Sequence, residues 1–390
     1  MKDQSPPTFG VEEEFLLLDP HNGRPVPKAP RVLRLLRGQP GPRAELMRYQ
    51  VEVATRVCAT TDELRAELRR LREIASDAAR SCGCRLVASG TSPYPAPGLS
   101  ALTENPRYRE LARRYPVLTA VSGTCACHVH VGVPSRDTGV QVLNRLRPWL
   151  ATLLALSANS PLEEGRDTGW ASRRYPALAR WPTGRPPSIW PDAAAYDRAL
   201  HRLIERGAAL DEGSVYWLAR LSPRYPTVEV RVADVCPDID TAVLVAVLVR
   251  GLVATCIAES RSGEPVPSVD GTTVRTSLQA AARYGLAGYA IDPWTGLRTD
   301  PWHLVNRLAD QIGPTLASLG DERTARRLLR VVAGRGAGAE RQRKAWNRAS
   351  SPADLVAELT TTTWTTDPRQ HGPRDPMIQD HSVHHHAAGR

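Results

Sequence analysis

The chain has 390 residues, 42% of them hydrophobic and 24% charged, with 33 prolines; it is long enough to bury a substantial core, and the prolines argue against a plain helical bundle. Its start, Met1-Lys2-Asp3-Gln4-Ser5, lacks an apolar signal core, and the apolar run Ile239 to Ala258 is broken by Asp240 and Arg250, so a cytoplasmic protein with no membrane association is expected. The formal net charge of +10 fits an anionic small substrate better than nucleic acid, because the arginines are dispersed and form no block interleaved with aromatics.

Thr8 to Leu18 alternates sides as a strand, with Phe9, Val11, Phe15 and Leu17 sharing one face with Glu13 while Glu12 and Glu14 share the other. Arg43 to Thr55 leads into a second strand, Gln50 to Ala54, and Thr61 opens a helix with leucines at 64, 68 and 71. Arg85 to Gly90 is a short apolar strand running into a Pro-rich turn at Thr91 to Gly98. Cys127 to Val133 sets Val129, Val131 and Val133 on one face and His128 and His130 on the other. Arg145 to Ser160 reads as an apolar helix, and Pro161 to Pro191 as a long functional loop carrying Arg166, Asp167, Trp170, Arg173 and Arg174. Thr227 to Val232 alternates valines with Glu229 and Arg231, and Asp240 to about Leu359 reads as helices broken near Pro265 and Pro293. Residues 1–360 are expected to form one α+β domain, with 361–390 a disordered tail.

Seven cysteines without an export signal are expected as reduced thiols. The pairs Cys82/Cys84 and Cys125/Cys127 invite a zinc reading, but their spacing is tighter than that of zinc knuckles. Gly334 to Arg343 is Gly-rich and either caps a helix or touches phosphates. No Walker A, Gly-x-Gly-x-x-Gly, Gly-x-Ser-x-Gly or His-Glu-x-x-His motif is present.

Four strands thus turn an apolar face one way and Glu12/Glu14, Glu52, His128/His130 and Glu229/Arg231 the other. A water-facing sheet shows mixed Lys, Thr, Ser and Glu, whereas these groups bind metal or phosphate. Clustered glutamates repel unless cations neutralise them, and oxygen-rich ligands with one or two imidazoles favour Mg²⁺ or Mn²⁺, ions that clamp the phosphates of ATP. Singly, each residue has a plain alternative: a solvated strand glutamate, a satisfied histidine, or a surface ion pair between Glu229 and Arg231. Their coincidence on four strands favours a site.

The stretches Phe9-Gly10-Val11-Glu12-Glu13-Glu14-Phe15, Gln50-Val51-Glu52-Val53-Ala54-Thr55, Cys127-His128-Val129-His130-Val131-Gly132, Ala158-Asn159-Ser160-Pro161, Glu164-Gly165-Arg166-Asp167-Thr168-Gly169 and Val228-Glu229-Val230-Arg231 occur together and in order. In this the sequence resembles the glutamate-cysteine ligase type 2 family of carboxylate-amine ligases, from Phe9 to about Trp346. The resemblance implies a glutamine-synthetase-like catalytic fold, an antiparallel sheet curved around the active site with helices packed outside. It implies an ATP-dependent ligase forming an amide bond between small carboxylate and amine substrates through an acyl phosphate, with Mg²⁺ or Mn²⁺, as a possible homodimer. Glu12, Glu14, Glu52, His128 and Glu229 are the expected metal ligands, Arg231, Arg166 and His130 the expected catalytic residues, and Arg231, Arg173 and Trp170 the expected nucleotide contacts. Where the family has an aromatic pair after Ser-Pro this chain has Leu162-Glu163, so a loop lining the pocket would imply an acceptor other than cysteine. The rival expectations are a guanidino-kinase-type phosphoryl transfer on the same fold and a non-catalytic nucleic-acid-binding or regulatory protein.

Overall fold

Strong alternation of β-branched residues builds the centre of the chain, which the computed structural model describes from residue 6 to 364, with side chains to 360. Strands β1 (Phe9–Leu18), β2 (Pro42–Ala44), β3 (Gln50–Ala54), β4 (Arg85–Val87) and β5 (Cys127–Gly132) are followed by a separate hairpin of β6 (Leu162–Glu163) and β7 (Arg166–Asp167), and then by β8 (Ala219–Leu221) and β9 (Thr227–Val230). Seven of them form one antiparallel sheet in the order β2-β3-β1-β5-β9-β8, with β4 paired to the far end of β1 through Leu16, Leu17 and Leu18. The register Val11↔Val129↔Val230 and Phe9↔Val131↔Val228 puts the apolar residues on one face, all buried.

Helices cover that face. Ile239–Arg261 is apolar on every side, and 18 of its 23 residues are buried under the sheet and neighbouring helices. It is the one described helix long and apolar enough to cross a membrane, yet 89% of its apolar window lies inside the fold. Its Arg250 is fully partnered there, reaching Asp321 at 3.0 Å and the carbonyls of Pro7 and Ala59 at 2.9 and 2.8 Å. Thr61–Ser81, opened by a Thr60/Glu63 capping box, sends Arg72 to Glu13, the one acid on the core face of β1. Its Nε reaches Glu13 Oε2 at 2.9 Å and Nη2 the Cys236 carbonyl at 3.0 Å, so a buried charge pair replaces what the alternation alone would make apolar.

Three local expectations are corrected. The helix expected over Arg145–Ser160 begins earlier, as Arg136–Leu146, and is interrupted by a 3₁₀ turn at Arg147–Trp149 before Leu150–Ser157, because Pro148 offers no N–H to continue the ladder. Pro161 to Pro191, expected as one long functional loop, contains regular elements. It folds into β6–β7 and the short helix Arg174–Leu178, held by buried Asp234, which accepts from Ser160 Oγ at 2.6 Å, Asn159 N at 2.9 Å and Ser172 Oγ at 2.8 Å. The last described helix, Pro352–Trp364, runs past the expected boundary at 360; the remainder of the 361–390 tail lies outside the described residues. In the Gly-rich segment, Gly336 at φ +83° ends the helix Glu322–Arg335, so capping is its role.

Candidate active site

Antiparallel register assembles the polar face. Glu14 lies opposite Glu52, which lies opposite Arg43; Glu12 lies opposite His128; His130 lies opposite Glu229, which lies opposite Arg220. Because side chains alternate, residues of matching parity on β2, β3, β1, β5, β9 and β8 all emerge on the face away from the helical core. They line one cavity of about 600 Å³ that holds Glu12, Glu14, Glu52, His128, His130, Glu229 and Arg231 together.

At its centre, Glu12 Oε2 lies 3.6 Å from His128 Nδ1 and 3.7 Å from His130 Nε2. Ligand atoms of Glu12, His130 and Glu229 fall within 4.8 Å of one another, the one such group of three among the described residues. Thr227 Oγ1 holds His130 Nδ1 at 3.0 Å, and the buried Nε2 atoms of His128 and His130 have no hydrogen-bond partner. An orphaned imidazole nitrogen whose sister is fixed by a hydroxyl is the arrangement of a metal ligand with its outer support. The residues therefore fit a divalent cation. The four cysteines of the zinc reading are buried free thiols and contribute to no such group.

Glu229, with 2% of its side chain exposed, takes an arginine on each oxygen: Arg220 Nε at 2.9 Å on Oε2, and Arg231 Nη1 on Oε1. The Glu229–Arg231 pair is thus buried rather than a surface pair. Although burial opposes ionisation, Arg231 and Arg220 hold the Glu229 carboxyl well below the usual range. Glu12 is held low against burial by the imidazoles of His128 and His130 beside it. Burial and then Arg231 lower His128 to about 4, leaving a neutral imidazole able to ligate.

The other end is short of positive charge. Glu14 accepts from Ala126 N at 2.8 Å, yet burial and the charge of Glu45 push it up to about 8. Glu52 is raised well above its usual value by burial, Glu45 and Glu12, with Arg43 Nε 3.5 Å away as partial relief. Such carboxylates are protonated until a cation displaces the proton. The sign follows. Groups with raised folded pKa stabilise the fold below their unfolded value and lose that contribution as pH rises through the folded one. His128, lowered from 6.5 to about 4, has given its full contribution by pH 6.5, so between pH 6.5 and about 8 the change belongs to Glu14 and its neighbours. In chelator the melting temperature is expected to fall over that interval, and excess Mg²⁺ to stabilise more at the upper pH than at the lower. Scanning calorimetry at both pH values checks this; a flat profile insensitive to Mg²⁺ would remove the cation-for-proton exchange.

Arg166, Arg173 and Trp170 are not brought to this cavity. Arg166 is exposed on β7, Arg173 Nε pairs with Glu163 at 2.9 Å, and Trp170 lies beneath the Arg283 guanidinium while its carbonyl takes Arg343 at 2.9 Å. The anchorage of their loop by Asp234 and by the Asp167–Arg343 pair at 2.7 Å accounts for it. Leu162 is buried and Glu163 is spent on Arg173, so the departure after Ser-Pro does not reach this pocket either. Of the charged and Trp residues singled out on that loop, Arg174 comes close. It lines an adjoining lobe of about 80 Å³ and donates to the carbonyls of Val232 and Arg231 at 3.2 and 3.1 Å. Residues missed in the sequence are Arg43 and Glu45, Arg107 with Asp211 at 2.6 Å, Tyr108, Tyr216, Arg220, Arg224 and Tyr225.

An antiparallel sheet bearing carboxylates, paired imidazoles and arginines on its open face, with helices behind, makes this an α+β fold built around one polar cavity. The chain belongs to the glutamate-cysteine ligase family 2, whose model matches residues 8–361. A Mycolicibacterium smegmatis protein provisionally named glutamate–cysteine ligase 2-3 is 42% identical over 92% of this chain and 98% of its own length. A Salinispora arenicola protein provisionally named glutamate–cysteine ligase 2 is 43% identical over 90% of this chain and 93% of its own. Among solved structures, the fold resembles the glutamate–cysteine ligase of Francisella tularensis in complex with AMP (TM-score 0.68, 15% identity, 94% of this chain and 90% of that one). It also resembles the ligase PafA in complex with the ubiquitin-like protein Pup (TM-score 0.53, 12% identity, 93% and 77%).

Proposed function

We propose that this protein joins a carboxylate to an amine at the expense of ATP, by way of an acyl phosphate. The observation that carries the reading is the convergence in one cavity of Glu12, His130 and Glu229, two unpartnered imidazole nitrogens, and Arg231. Glu12, His130, Glu229 and His128 would hold one Mg²⁺ or Mn²⁺, and Glu14 and Glu52, with Glu45 beside them, a second. Such ions supply positive charge to phosphate oxygens and relieve repulsion among the glutamates.

The remaining work falls to the chain's own groups. A carboxylate is a poor electrophile, so its oxygen first takes the γ-phosphoryl group and ADP leaves. The amine nitrogen then bonds to the acyl carbon, inorganic phosphate departs with the C–O electrons, and the nitrogen loses a proton. With Glu229 engaged in holding a cation, Arg231 would be free to offer its planar fork to the oxygens of the phosphoryl group in transfer. Arg43, Arg107 and Arg220 set the positive walls of the cavity, with Arg107 fixed by Asp211 at 2.6 Å. His130, expected as a catalytic residue, is read here as a ligand, a reading supported by its Nε2 facing Glu12 at 3.7 Å while Thr227 holds Nδ1. The relatives' names make glutamate and cysteine the first pair to test.

Screening carboxylates and amines in pairs with ATP and Mg²⁺ or Mn²⁺ tests the reading. Phosphate release is expected only when both substrates are present. A guanidino-kinase-type enzyme would instead leave a stable phosphorylated product, and a nucleic-acid-binding protein would bind DNA or RNA with a steep salt dependence and turn over no ATP. The arginines of the cavity are interleaved with acids and form no basic stripe for a phosphate backbone.

A further inference from the structure

We infer that Tyr225 is the platform on which the base of a purine nucleotide stacks, at the β8–β9 end of the cavity; this rests on the nucleotide reading of the site given above. Trp149, Trp217 and Tyr196 are buried in the core, whereas Tyr225 is 49% exposed while lining the cavity. The turn that carries it is stiff. Ser222 N donates to the Thr227 carbonyl at 3.0 Å, Thr227 N to the Tyr225 carbonyl at 2.7 Å, and Ser222 Oγ accepts from Tyr225 N at 3.3 Å, with Pro223 and Pro226 on either side. A ring fixed in advance loses little entropy on meeting a ligand.

Its position relative to the cation ligands gives the platform its purpose. The Tyr225 ring stands edge-to-face with the His130 imidazole, centroids 6.1 Å apart at 87°, and His130 Nε2 faces Glu12 on the other side. A polyphosphate bound through the Glu12/His130/Glu229 group therefore has an aromatic surface one residue away. The other two tyrosines of the lining are already engaged: Tyr108 lies under the Arg107 guanidinium and Tyr216 packs on Trp181 at 5.0 Å. They stand among Glu45, Arg107 and Asp211, a charged end poorly suited to a neutral base. Stacking tolerates any base with a π-face, so adenine and guanine nucleotides are both candidates for this surface.

Titration calorimetry of the full chain with ATP and with inorganic tripolyphosphate, each with Mg²⁺, tests the inference. Tyr225→Ala is expected to weaken ATP binding by roughly 5- to 150-fold and to leave tripolyphosphate binding unchanged, while Tyr225→Phe keeps ATP affinity near that of the parent. Melting temperatures of the variants should match the parent, as the side chain is half exposed. Unchanged ATP affinity in Tyr225→Ala, or parallel losses for ATP and tripolyphosphate, overturns the platform while leaving the nucleotide reading in place. A parent protein that binds neither probe overturns both.

Discussion

Arg231→Lys is expected to lower turnover by roughly 10²-fold or more while ATP affinity falls far less. Lysine keeps the charge but loses the planar fork, and a single ammonium cannot span two phosphoryl oxygens as a guanidinium does. Arg231 lines both the main cavity and the adjoining lobe, and its backbone carbonyl is clamped by Arg174, so the side chain is presented from a fixed strand end. Single-turnover kinetics beside calorimetric ATP affinity measures the split. Full activity in the lysine variant would mean that Arg231 serves only as the buried counter-ion of Glu229.

Glu229→Gln should act on a different quantity. The amide removes the charge that holds Arg220 and Arg231 together and leaves two guanidiniums facing a neutral group in a site with 2% of the glutamate side chain exposed. Breaking a buried pair on one side costs about 3–5 kcal/mol. Arg220 keeps its bonds to the carbonyls of Glu212 and Val215 at 3.0 and 2.9 Å, so a value at or below the low end of that range is expected. Loss of one ligand charge should weaken Mg²⁺ and Mg²⁺-dependent ATP binding together. Thermal unfolding and calorimetry of this variant, set beside Arg231→Lys, separate a defect in binding from one confined to the transition state. A Glu229→Gln protein with parental melting temperature and cation affinity would contradict both the buried pair and the ligand role.

The part of the site legible in the sequence is the part written with period two. Glu12, Glu14, Glu52, His128, His130, Glu229 and Arg231 could be placed on a common face because antiparallel strands keep parity across a sheet, and the order of strands did not need to be known. Arg43 and Arg220 sit on that same face but escaped because β2 and β8 are only three residues long, too short to display alternation. Arg107, Tyr108 and Asp211 arrive from a helix and a turn distant in the chain, and no local pattern announces such an approach. The misplacement of Arg166, Arg173 and Trp170 has another cause. A loop rich in Arg and Trp is equally suited to a pocket or to anchorage, and here a single buried carboxylate, Asp234, decided the matter through Ser160, Ser172 and Arg174. Glu13 was visibly out of place among apolar neighbours, but its partner Arg72, 59 positions away, could be found only in three dimensions.

The acyl phosphate is the claim on which the account turns, and isotope transfer reaches it most directly. With a productive carboxylate and amine pair found by the screen, the carboxylate is labelled with heavy oxygen, turned over with ATP and Mg²⁺, and the released inorganic phosphate is analysed by mass spectrometry. One labelled oxygen per phosphate is predicted, because the carboxylate oxygen that takes the phosphoryl group leaves with it when the amide forms. Unlabelled phosphate accompanying amide formation would contradict the account.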